Sequence, residues 1–350
     1  MRSSLRIFSF TWPVLCVLAV GCVKQPGGPV ADDSRVAVSF VTLPVGTKAG
    51  AVTDGGESAV NSLDLLAFRR STGVLDCYAH ASGSGTTTVS ARVTAGEALE
   101  WYLVANAPAS AALSAVSSRP AFLQAKTPLL HTTSSTMVMH ASGTATFARH
   151  GGGAPVEVDG IELVRYACKV SVGRICVPWL NAFDNPPSCF LDRAVLVNAR
   201  GDCRWSGVPS AGAGELWYNR SEDAVPTGFL GRLLSWDGAE TLSATPKACP
   251  VVLYAMPNAS DGDATAEMAP WTPRRTRLCL RLVIGGVPQW YPVDLPAMEG
   301  NTHYVVSELA VKGPGTLRPD MRMERTNIEF KINIVPWGEN TIDGVEFPMD

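Results

Sequence analysis

Little in this sequence offers charge or chemistry. Only 17% of its 350 residues are charged, the net charge is −3, and Lys and Arg form no run. Without a basic patch there is no electrostatic basis for a nucleic-acid partner. The motifs that build active sites are missing too: no G-x-S-x-G elbow, no H-E-x-x-H, no Walker loop and no G-x-G-x-x-G behind a strand. The five histidines, His80, His131, His140, His150 and His303, are scattered along the chain. No C-x-x-C pair exists, and the cysteine spacings fit no zinc template. The stretch "DGDATAE" (261–267) lacks the length and terminal bidentate Glu of an EF-hand loop. The expectation is a protein that is not an enzyme and carries no metal or cofactor.

What is present begins with a targeting segment. Arg2 and Arg6 make a positive start, residues 7–20 are mostly apolar, and "LAVGC" places small residues before Cys22. Residues 1–21 read as a signal peptide, and Cys22 as the thiol of a bacterial lipoprotein box that takes a diacylglycerol. An ordinary signal peptide or a short anchor helix is the alternative. Loss of Arg2 and Arg6 takes the net charge to −5 (27 basic against 32 acidic residues). Residues 22–35 come next as a lipidated tether. Of nine cysteines, Cys16 leaves with the signal and Cys22 carries lipid; seven remain, an odd number, with one bridge conceivable among Cys176, Cys189 and Cys203.

Strand signals dominate the rest. Residues 36–43 ("VAVSFVTL"), 63–68, 87–93, 136–140 and 145–148 have strand character, and 99–105 ("LEWYLVA") is apolar enough to be buried on both faces. Asn106, Ala107 and Pro108 end that run, and 109–118 offers a short helix. Three glycines in "HGGGAPVEVDG" (150–160) suggest a domain boundary. Beyond it, 161–172, 194–197, 251–255, 278–284, 290–295 and 303–311 resemble strands, and 201–247 reads as loops with short strands. The predicted organisation is all-β: an N-terminal β-sandwich over 36–155, a C-terminal one over 156–337, and a further strand-like stretch over 338–350. That last stretch, "GENTIDGVEFPMD", alternates through Val345, Phe347 and Met349, with Ile342 upstream. Trp205, Trp217, Trp236 and Trp271 could supply a glycan-binding platform, although large aromatics in sandwiches more often fill the core.

Several separated stretches resemble the Bacteroidales fimbrillin family, the type V pilins. They are the lipobox at Cys22, the strand–loop–strand order of "VAVSFVTLPVGTKAGAVTDGGESAVNSLDLLAF", "WYLVANAPA" (101–109), "ELVRYACKVSV" (162–172), and "NTHYVVSELAVKGPGT" (301–316) with "NIEFKINIVPW" after it. The resemblance implies two tandem transthyretin-like β-sandwiches and export as an outer-membrane lipoprotein. It further implies cutting by a trypsin-like surface protease after the first strand, and polymerisation by donor-strand exchange into a fimbrium that supports adhesion. Carried onto this chain, the removable strand holds Val36, Val38, Phe40 and Leu43. The cut falls between Lys48 and Ala49, in a small polar loop where nicking is easy. Val345, Phe347 and Met349, with Ile342 upstream in the same donor strand, fill the groove left in another copy; the alternative folds this tail back onto its own domain as an edge strand. Arg35 is the other basic candidate, but cutting there leaves residues 36–43 attached and opens nothing. The alternatives are an anchor subunit that retains its lipid and a glycan-binding surface lipoprotein.

Overall fold

The computed structural model describes residues 34–43, 56–129, 132, 135–149, 154–207, 215–220, 234–262, 273–319, 323 and 325–337. Cys22, Lys48, Ala49, Ile342, Val345, Phe347 and Met349 lie outside the described residues, as do the signal segment, nearly all of the tether and the whole of 338–350.

Strands are the dominant elements of the described chain. In the first half these are β1 (Arg35–Thr42), β2 (Ser62–Arg69), β3 (Leu75–Ser82), β4 (Thr88–Thr94) and β5 (Ala98–Ala105). A short helix α1 (Arg119–Gln124) precedes β6 (Lys126–Pro128), β7 (Met139–Thr146), β8 (Val156–Ile161) and β9 (Val164–Arg165). One sheet runs β3-β2-β5-β7-β9, and the other runs β4-β1-β8. They face each other: Phe40 of β1 meets Trp101 of β5 edge to face, with ring centres 5.3 Å apart. β5 is buried on both faces from Trp101 to Ala105, as its unbroken apolar run predicts.

β5 ends at Asn106 for a local reason. Its φ of 56° is left-handed, a conformation Asn tolerates better than most residues. Its side chain donates to the carbonyls of Ala59 (2.7 Å) and Met137 (2.8 Å) and accepts the N–H of Asn61 (2.8 Å). Replacing Asn106 with Ala removes three bonds and leaves the strained φ, so a loss of about 2–4 kcal/mol is expected in denaturant unfolding.

The second half contributes β10 (Cys168–Cys176), β11 (Cys189–Val197), β12 (Ala199–Arg200), β13 (Asp202–Arg204), β14 (Trp217–Tyr218) and β15 (Ser235–Thr241). After these come β16 (Lys247–Ala248), β17 (Val252–Ala255), β18 (Arg277–Ile284), β19 (Val287–Asp294), β20 (Thr302–Val311) and β21 (Ile328–Pro336). Its sheets run β16-β10-β20-β21, with β17 also on β10, and β15-β11-β18-β19. β6 pairs with β13, so the halves share a small sheet, and one apolar cluster runs through both.

Three expectations change. The boundary placed at 155/156 does not match the pairing: β8 lies beside β1 and β9 beside β7, so the first half's sheets continue to Arg165 across the glycine run. Residues 109–118 form two single 3-10 turns, Ala109–Ala111 and Leu113–Ala115, because Ala112 between them sits at φ 47° and breaks any longer helix. β3 went unforeseen: its sequence, LDCYAHAS, mixes Asp and His into a strand that is buried through its first five residues.

Candidate functional site: the first strand and its groove

β1 occupies the middle of its sheet. It runs antiparallel to β4, from Arg35↔Thr94 to Val41↔Thr88, and parallel to β8, with Val38 opposite Val156 and Phe40 opposite Val158. Alternation turns Val36, Val38 and Phe40 inward, at 7%, 0% and 0% exposure. Phe40 is the deepest tooth, edge-on to Trp101 and to Phe147 at 6.4 Å. Room for the Trp101 indole is made by its cross-strand partner Gly143, where an added Cβ would lie 2.5 Å from the ring. On the other face Ser39 Oγ bonds to Ser90 Oγ at 2.8 Å.

The ends of β1 differ from the expected span of 36–43: the strand starts at Arg35 and ends at Thr42, so Leu43 lies one position past it and is 44% exposed, while Thr42 takes the in-phase buried place. Hydrophobicity favoured Leu43, but the two-residue period decides which side chain faces the core. At the other end Arg35 is in the ladder, and its guanidinium donates to the carbonyls of Arg92 (3.1 Å) and Asp76 (3.3 Å). A protease needs an extended substrate free of such pairing, so Arg35 is a poor site.

The glycan platform does not form from its described members. Trp205 is 2% exposed and packs edge-on to Tyr166. Trp217 is half-buried under Arg200 and donates to Glu215 at 3.1 Å. Trp236 is half-buried against the core. Trp271 lies outside the described residues, as do His131 and His150. His140 stacks on Tyr166, and burial pulls its pKa down to about 4. His303 bonds to Ser171 at 2.8 Å and is pulled down to about 4 by burial and by nearby Lys169. Among the described residues no group of three or more His, Cys, Asp or Glu is placed to hold a metal ion.

The one bridge conceivable among Cys176, Cys189 and Cys203 does not form, and single buried cysteines, the main reading of the sequence, are what the structure holds. Those three, with Cys77, Cys168, Cys249 and Cys279, stand outside any disulfide among the described residues, all buried except the half-buried Cys249. Cys77, Cys168, Cys189 and Cys203 belong to the main apolar cluster, and burial pushes Cys77, Cys168 and Cys203 up to about 12. Thiols kept protonated are poor nucleophiles. Iodoacetamide at pH 8 should therefore leave these seven unmodified in the folded protein and alkylate all of them in denaturant, as read by peptide mass mapping.

No family model matches the chain, and no curated protein matches it. Solved structures do share its fold. A candidate cell adhesion protein from Bacteroides eggerthii superposes with a TM-score of 0.62 at 18% identity, over 89% of this chain and 98% of the other. One from Parabacteroides distasonis gives 0.59 at 15% identity, over 89% and 99%. A fimbrilin from Porphyromonas gingivalis gives 0.57 at 17% identity, over 86% and 97%. The chain thus has the all-β fold of fimbrilins and of Bacteroidales candidate adhesion proteins.

Proposed function

We propose that this chain, which shares its fold with a fimbrilin, is a structural subunit of a cell-surface fimbria that assembles by strand exchange. The observation that carries the reading is the place of β1. A strand hydrogen-bonded on both sides, with three apolar side chains in the core, is joined to the rest of the fold through a stretch that includes Lys48. In the proposed cycle the precursor is exported with lipid on Cys22, and a trypsin-like protease cuts between Lys48 and Ala49. Residues 22–48 then leave, and residues 338–350 of another copy take the vacated place. A subunit that kept Cys22 and β1 would instead be the fibre's anchor.

The sequence of the proposed donor supports a register. Val38-Ser39-Phe40 of β1 is matched by Val345-Glu346-Phe347, so Val345 takes the Val38 position, Phe347 the Phe40 position and Met349 that of Thr42. Ile342 falls out of this phase and meets the other face. A donor running in the direction of β1 restores both the antiparallel ladder with β4 and the parallel one with β8.

Trypsin-treated protein should capture a synthetic peptide of residues 338–350. Burying one large apolar side chain is worth about 1.5–3 kcal/mol, so the same peptide with Phe347→Ala should bind roughly ten- to a hundredfold more weakly. Equal binding of the two peptides would remove Phe347 from the groove.

A further inference from the structure

Glu57 is the second described residue after the 44–55 stretch, and it is only 4% exposed. Its carboxylate gathers three side chains from distant parts of the chain. Lys169 Nζ donates to both oxygens at 2.9 Å, Trp337 Nε1 donates to Oε2 at 2.9 Å, and the Tyr254 hydroxyl donates to Oε1. These partners are 112, 280 and 197 residues away in sequence.

Trp337 is held from other sides as well. Its ring stacks on Tyr254 at 5.7 Å and 20°, and the Arg165 guanidinium lies 4.8 Å from its centre. Its backbone N–H donates to the Asn301 carbonyl at 2.9 Å. Arg165 in turn donates to the Glu57 carbonyl (3.3 Å), Ser58 Oγ (3.2 Å) and Asn301 Oδ1 (3.4 Å). One buried cluster therefore joins the segment behind Lys48 to the residue from which 338–350 depart.

A buried ion pair adds little net stability, because desolvation offsets its attraction; its contribution is a defined arrangement. That arrangement matters here because of where Trp337 sits. Among the described residues β21 pairs with β20 alone, and from Phe330 to Pro336 none of its side chains is fully buried, so the strand itself holds its own end weakly. From Trp337 to Val345 the chain can reach at most about 28 Å when extended. If the exit point moves, Val345 and Phe347 arrive at the neighbouring groove out of register or fall short.

We propose that Glu57 is a positioning residue for assembly: by holding Trp337, Tyr254 and Lys169 together it fixes the point from which the donor stretch leaves. This role rests on the strand-exchange reading. It also places the part of the chain just behind the cut and the root of the donor in one rigid cluster, which survives the loss of β1 because none of the residues named in it belongs to β1.

The test uses the full chain carrying Glu57→Gln or, separately, Trp337→Phe, which keeps an aromatic ring and deletes the N–H donor. Each is treated with trypsin beside the wild type, and both capture of added peptide 338–350 and growth of polymer are measured. Both variants should capture added peptide as the wild type does, while their own polymers grow at least tenfold more slowly. If Glu57→Gln does not fold, Trp337→Phe decides. Wild-type growth, or loss of peptide capture in parallel with growth, overturns the positioning role. Failure of the wild type itself to capture peptide overturns strand exchange, and the role of Glu57 falls with it.

Discussion

Replacing Phe40 with alanine should lower the stability of the unprocessed chain by about 3–5 kcal/mol and leave the assembled fibre unchanged. The first half of this expectation comes from packing. Phe40 has no exposed surface and sits edge-on to Trp101 and Phe147, so truncation leaves a cavity whose walls are strands with little freedom to close it. The second half comes from the strand-exchange reading. On that reading β1 has left the fibre subunit, and the ring lying against Trp101 would be Phe347 of a neighbour. Phe347→Ala should therefore show the reverse pattern, a normal precursor and a weakened fibre. Urea unfolding of precursor and fibre for both variants measures the two effects. A single variant that weakens both forms equally would contradict the exchange.

Deleting residues 338–350 should leave a folded chain that cannot extend a polymer. Among the described residues β21 is laddered along its length to β20 and Trp337 is buried against Tyr254, contacts that draw on none of 338–350. On the strand-exchange reading, what is lost is the donor. Val345, Phe347 and Met349 together represent roughly 5–9 kcal/mol of apolar burial, and net backbone hydrogen bonds add about 0.5–1.5 kcal/mol each. Part of this is spent on ordering the donor, but the remainder suffices for a durable joint, and without it none forms. Thermal unfolding of the deletion variant should match the wild-type precursor, while electron microscopy of cells should show no fibres. Fibres of normal length would remove residues 338–350 from the assembly.

Much of the fold could be read from hydrophobic periodicity, and the misreadings share a cause. The inward set Val36, Val38 and Phe40 was legible because alternation survives where one face is buried. The apolar side chain of Leu43 extended the expected strand one residue too far, whereas β1 ends at the buried Thr42. The glycines at 151–153 looked like a domain boundary, yet the chain returns beyond them to lay β8 along β1. Local composition cannot report a pairing between residues more than a hundred positions apart. Glu57 is the extreme case. In "DGGESAV" it looks like a solvated loop carboxylate, and only the fold reveals that Lys169, Tyr254 and Trp337 converge on it. The proposed donor register rests on the V-x-F shared by 38–40 and 345–347, together with the full burial of Val38 and Phe40 in a central strand.

N-terminal sequencing of the protein taken from the cell surface tests the central claim most directly. A subunit that has surrendered β1 begins at Ala49, with residues 22–48 and their lipid gone. A surface protein that still begins at a lipidated Cys22 retains β1 in its own sheet, leaves no groove for a neighbour, and contradicts the proposed assembly.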